Sequence, residues 1–153
     1  MSPGSPSTDG TITWRQLWVE SSEAIGDANE ARWICREAGG FDALEWASAL
    51  DDAVGERAVA RVDSMVARRR SGEPLQYVLG RWGFRRLDLM VDRRGLIPRP
   101  ETELIVDIVL AHLAGSSAPS TVVDLGTGSG AIGLSVLHES EVGSVIVHMT
   151  DAS

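Results

Sequence analysis

The sequence has no lysine. All 14 of its basic residues are arginines, set against 22 acids for a net charge of −8. It holds one cysteine, Cys35, which excludes an internal disulfide and offers no pair of thiolates to a metal. Its three histidines, His112, His138 and His148, have no partner at metal-binding or catalytic spacing. No apolar run approaches the roughly eighteen residues of a membrane span. The opening "MSPGSPSTDG" lacks a basic start followed by an apolar block, so it reads as a disordered tip rather than a secretion signal. These absences point to a soluble cytoplasmic protein. Its 153 residues make one ordinary domain or two small ones.

The charge is unevenly spread. Residues 1–67 carry 5 arginines against 12 acids, residues 68–99 carry 9 against 3, and from residue 100 onward there are 7 acids and no base. A basic band between acidic blocks could face an acidic partner or RNA. Local salt bridges on a solvated surface are the plainer account.

From Trp14 to Arg70 there is no proline and helix formers dominate. Asp27 with Glu30 has the spacing of a capping box. Ala31, Ile34, Cys35 and Ala38 then fall on one helical face, and Gly39-Gly40 ends it. A short helix is expected over 44–50 and a longer one over 55–70, with Val59, Val62, Met65 and Val66 inward. "SGEP" (71–74) marks a boundary. The following "LQYVLGRWGFRRLDLMVDRRGLIPRP" alternates and is rich in strand formers, which predicts a hairpin or two rather than a helix. Beyond Pro98 and Pro100 a helix runs over 101–114. Strand 121–125, helix 131–139 and strand 144–150 then open a parallel α/β sheet. The expected organisation is a disordered tip (1–12), a helical domain (13–74), a hairpin linker (75–98) and the start of a Rossmann-like domain (99–153).

The chemistry is concentrated in "VVDLGTGSGAIG", residues 122–133. Read as Gly128-x-Gly130-x-x-Gly133, it fits a dinucleotide fingerprint, with Asp151 after the next strand. Read as Asp124 to Gly130, it fits the first motif of S-adenosylmethionine methyltransferases. Asp124, two residues before the first glycine, favours the second reading. A carboxylate there would repel a pyrophosphate, whereas it suits an ammonium and a sulfonium. Asp151 suits either ligand, because one carboxylate can accept both hydroxyls of a ribose.

Three segments then carry a family resemblance: "GEPLQYVLGRWGF", "LIPRPETELIV" and "VVDLGTGSGAIGLSV". Together they resemble the N(5)-glutamine methyltransferases of peptide chain release factors, the HemK/PrmC family, with "IPRPETE" (97–103) the distinctive part. The resemblance implies transfer of a methyl group from S-adenosylmethionine to a glutamine side-chain amide in the Gly-Gly-Gln motif of class 1 release factors. Gly126, Thr127, Gly128, Ser129 and Gly130 would form the cofactor loop and Asp151 would hold the ribose. Asp124 would lie near the cofactor's amino group, and Arg99, Glu101 and Thr102 would shape the neighbouring wall. The helical domain would grip the release factor. Trp14, Trp18, Trp33 and Trp46 could anchor that surface, or fill a small core.

The family orients its amide substrate with an Asn-Pro-Pro-Tyr loop, and this sequence contains no such tetrapeptide. No residue is therefore assigned as catalytic. The chain reads as the N-terminal portion of a longer enzyme, inactive alone, with Val122, Val123 and Leu125 on a strand short of a neighbour. Two other readings stand beside it. One is a related methyltransferase acting on a ribosomal protein or nucleic acid. The other is a non-catalytic fragment that binds a partner through its helical domain.

Overall fold

The structure, a computed structural model, describes residues 12–116, 118–141 and 143–152. The expected disordered tip lies outside the described residues except for Ile12, which packs against the core and accepts the Val54 N–H. The chain divides into two compact units between Leu79 and Gly80.

The first unit is helical: α1 (Trp14–Ile25), α2 (Ala28–Gly39), α3 (Ala43–Ala49), α4 (Glu56–Arg70) and α5 (Leu75–Leu79). Its helix starts are written locally. Thr13 and Gln16 form a capping box at α1, as do Asp42 and Glu45 at α3. Asp27 caps α2 through the Asn29 and Glu30 N–H groups. Glu30 does not complete a box there. Its carboxylate instead takes the Arg69 guanidinium at 2.5 and 3.0 Å, tying α2 to α4. Trp14, Leu17, Ile34, Trp46, Val62 and Met65 meet in the core, with Trp18 packed against it.

Residues 75–79 correct the sequence expectation, because they form a helix and belong with the first unit. Leu75 and Val78, one turn apart, are both buried there. The end of this short helix needs help with its free carbonyls. Arg68 supplies it by donating to the Tyr77 and Val78 carbonyls at 2.8 and 3.3 Å. The same guanidinium grips buried Glu73 through two bonds of 2.8 Å.

Cys35 is fully buried, and burial pushes its thiol up to about 11. The reactive thiolate is therefore suppressed at pH 8. Iodoacetamide should leave Cys35 unmodified in the native chain and label it once urea unfolds the first unit. The sign for stability follows: the unfolded thiol ionises from about 9, so rising pH between 9 and 11 favours unfolding.

The second unit begins with a hairpin, β1 (Arg81–Phe84) paired antiparallel to β2 (Leu87–Met90). A 3-10 turn over Pro100–Thr102 leads into α6 (Glu103–Ala114), followed by β3 (Ser120–Leu125), α7 (Ala131–Glu139) and β4 (Val145–Thr150). β3 and β4 are parallel, in register from Ser120↔Val145 to Leu125↔Thr150. Phe84, Val106 and Val136 are its largest fully buried side chains.

The hairpin turn is pinned by Arg85, which adopts a left-handed conformation (φ 52°) unusual for a side-chain-bearing residue. Its N–H donates to Glu103 Oε1 and its guanidinium donates to both Glu139 oxygens at 2.6 and 2.9 Å. Asp107 completes the ring at 2.7 Å. The Arg85 guanidinium holds the Glu139 carboxyl below the usual range.

β3 pairs only with β4 among the described residues, and Val123 and Leu125 are 55% and 78% exposed. Val122, on the opposite face, is half-buried.

Candidate functional site

The glycine turn follows β3 directly. Gly126, Gly128 and Gly130 have φ of 72°, 55° and 78°, so three alternate positions adopt a conformation that side chains resist. Gly133 is needed for another reason. A Cβ there would lie 2.7 Å from Met149 Cγ and 3.1 Å from Asp124 Oδ2, so the glycine lets α7 sit close upon the strands.

The turn's N–H groups are largely spent within the fold. Those of Gly126 and Thr127 donate to the Thr150 carbonyl, that of Gly130 to the Thr127 carbonyl, and that of Gly133 to Asp124 Oδ2. Gly128 donates to Asp151 Oδ2 at 2.7 Å. The Ser129 N–H is left without a partner among the described residues. A pyrophosphate needs a nest of outward amides. Here the Gly126, Thr127, Gly128 and Gly130 amides are already engaged.

Asp124 sits half-buried at the end of β3. Its Oδ2 accepts from Thr127 Oγ1 at 2.8 Å and from the Gly133 N–H at 2.9 Å. One carboxylate thus joins strand, turn and the first turn of α7. Asp124→Ala should destabilise the second unit by about 1–2 kcal/mol, because a buried N–H and a hydroxyl lose their acceptor. Asp124→Asn keeps an acceptor and should recover about half of that loss. Urea unfolding, with amide exchange at Gly133, measures both. Equal loss in the two variants would mean that charge, not the hydrogen bonds, is what matters.

An open pocket of about 370 Å³ lies beside the turn. Met90, Val91, Asp92, Arg94 and Gly95, from β2 and the residues after it, form one wall. Gly128, Ser129 and Asp151 form the other. Gly128, Ser129 and Asp151 of the sequence expectation are therefore together at one cavity. Gly126, Thr127, Gly130 and Asp124 build the turn from behind without lining it. Arg99, Glu101 and Thr102 lie in the 3-10 segment and its cap, outside this lining. The wall from Met90 to Gly95 was not anticipated.

The arginine band resolves mostly into local pairs. Arg68 meets Glu73, Arg69 meets Glu30, Arg81 meets Asp88, Arg85 meets Glu139 and Arg94 meets Asp92. Cations already paired within the fold make a weak phosphate track. Trp14 and Trp46 are buried, Trp18 is partly buried, and Trp33 is 38% exposed. No group of three potential metal ligands occurs among the described residues, and none of their helices is long and apolar enough to cross a membrane.

Residues 20–80 match the PrmC N-terminal domain family. The chain is 35% identical over 133 residues to a release factor glutamine methyltransferase of Lactococcus lactis, covering 84% of this chain and 48% of that protein. It is 54% identical over 74 residues to the enzyme of that name from Pseudomonas aeruginosa, covering 48% and 26%. For Agrobacterium fabrum the figures are 35% over 113 residues, 72% and 39%. The matched region spans less than half the length of each of these curated relatives. With the helical unit, the glycine turn and the matches all in agreement, the chain corresponds to the N-terminal portion of the HemK/PrmC family.

Proposed function

We propose that this chain serves S-adenosylmethionine-dependent methylation of the glutamine side-chain amide in the Gly-Gly-Gln motif of class 1 release factors, in the cytoplasm. The observation that carries the reading is the glycine turn between Asp124 and Asp151, where one carboxylate accepts the Thr127 hydroxyl and the Gly133 N–H and the other accepts the Gly128 N–H. That donor set fits a cationic, phosphate-free cofactor. Gly128, Ser129 and Asp151 would contact it, while Gly126, Thr127, Gly130 and Asp124 hold the turn. Asp151 would hold the ribose, and Asp124, behind the turn, would add negative charge near the amino group. When bound, S-adenosylmethionine supplies an electrophilic methyl group. The parallel β3–α7–β4 unit supports a Rossmann-like domain for residues 99–153, and the helical unit would grip the release factor.

An amide nitrogen is a poor nucleophile and has to be oriented against the sulfonium. The sequence has no Asn-Pro-Pro-Tyr tetrapeptide to do so. The 153-residue chain is therefore expected to transfer no methyl group by itself. Calorimetric titration with S-adenosylmethionine and with NAD tests the site, and a radiolabelled methyl-transfer assay with class 1 release factor and with RNA tests the substrate. Binding of NAD in preference to S-adenosylmethionine would overturn the cofactor reading. Labelling of RNA but not release factor would overturn the substrate reading, and any transfer would overturn the inactivity.

A further inference from the structure

Arg94 lines the same pocket as Asp151. Its side chain is 87% exposed, yet its direction is set. The guanidinium donates from Nε to both oxygens of Asp92 at 3.0 Å and from Nη2 to Oδ2 at 2.5 Å. The Arg94 N–H also donates to Asp92 Oδ1 at 2.9 Å, and Gly95 closes the turn on the Asp92 carbonyl at 3.1 Å. Asp92 is held down to about 2 by this arginine, so the pair persists across ordinary pH. Nη1 has no partner among the described residues.

The lining of the pocket holds three ionisable side chains, Asp92, Arg94 and Asp151, of which one is a cation. The same lining includes Ser129, whose N–H the turn leaves unspent. A guanidinium edge and an unspent N–H thus both line the cavity. Both are donors suited to a carboxylate.

We infer that Arg94, held by Asp92, is a specificity-determining residue that receives the carboxylate at the amino-acid end of the cofactor, with the Ser129 N–H beside it. The inference rests on the methyltransferase reading above and deepens it. Asp151 would serve the hydroxyl groups of such a ligand, and its one anionic group is left to Arg94. Discrimination then favours ligands with a free carboxylate over adenosyl compounds that lack one.

The test is a two-by-two titration of the 153-residue chain. Wild type and Arg94→Ala are each titrated with S-adenosylmethionine and with its decarboxylated analogue, which keeps the adenosyl, sulfonium and amine groups. The Arg94 side chain is 87% exposed, and matching far-UV circular dichroism confirms that the variant is folded. The wild type should prefer the carboxylated ligand by about tenfold to a hundredfold, the size of a charge-assisted hydrogen bond. In Arg94→Ala that preference should collapse to within a few-fold, through weaker binding of S-adenosylmethionine alone. Arg94→Lys, which keeps the charge but not the fork, should retain part of it. An unchanged preference in Arg94→Ala would overturn the assignment while leaving the cofactor reading intact. A wild type that bound both ligands equally would do the same. A wild type that bound neither would overturn the cofactor reading and this inference with it.

Discussion

Trp14→Ala is expected to cost the first unit about 3–5 kcal/mol, enough to leave much of it unfolded at room temperature. Trp14 is 5% exposed and occupies the first turn of α1, where Thr13 caps the helix. Its ring meets Phe41 edge-on at 5.1 Å and Trp46 at 6.1 Å, and Trp46 in turn meets Trp18 at 6.2 Å. Edge-to-face contacts of this kind add to the area buried. The packing is close: the Trp14 ring lies 3.0 Å from where a Cβ on Gly39 would stand. Removing the indole leaves a cavity lined by rigid rings, which collapse poorly. Trp33→Ala, at a 38% exposed position, should cost less than about 1 kcal/mol. Urea unfolding followed by Cys35 alkylation reads both variants in the same unit. A loss below 1 kcal/mol for Trp14→Ala would show that the aromatic cluster does not hold this unit together.

That contrast between tryptophans was only half legible in the sequence. Four of them fall in the helical region, and composition cannot separate a core ring from a surface ring. The helices themselves were legible because their signals are local: Asp27 before α2, Gly39-Gly40 after it, and a three-to-four spacing of apolar residues along α4. Helix α5 was missed for the opposite reason. Five residues carry too little periodicity, and its carbonyls are satisfied by Arg68 from a different helix. Glu30 misled in a similar way, since its spacing is that of a cap and its actual partner, Arg69, is 39 residues away.

The candidate site divides along the same line. The glycine turn is contiguous in sequence, and its positive φ values explain why glycine alternates there. The facing wall comes from Met90–Gly95, more than thirty residues earlier, brought near by folding of the second unit. Nothing in "VDRRGL" announces a pocket. Of nine arginines in the basic band, neither composition nor spacing tells which are neutralised by a distant acid.

Asp151→Ala is expected to lower affinity for S-adenosylmethionine by about a hundredfold or more, because one carboxylate would accept both ribose hydroxyls. The parallel register ends at Leu125↔Thr150, so Asp151 comes level with the glycine turn. The Thr150 carbonyl accepts the Gly126 and Thr127 N–H groups at 2.8 and 3.1 Å, fastening the two strand ends together. Asp151 itself accepts the Gly128 N–H through Oδ2 and the Ala152 N–H through Oδ1. The variant removes the hydroxyl acceptor and also releases Gly128, so part of the loss could come from a loosened turn. A second ligand separates the two effects. The 2′-deoxy analogue of S-adenosylhomocysteine lacks one hydroxyl, so wild type should bind it about tenfold more weakly than the ribose form. Asp151→Ala should bind the two forms within a few-fold of each other, since the group that distinguished them is gone. If the variant keeps the wild-type ratio, the carboxylate does not touch the ribose, and its part in the site is to hold Gly128.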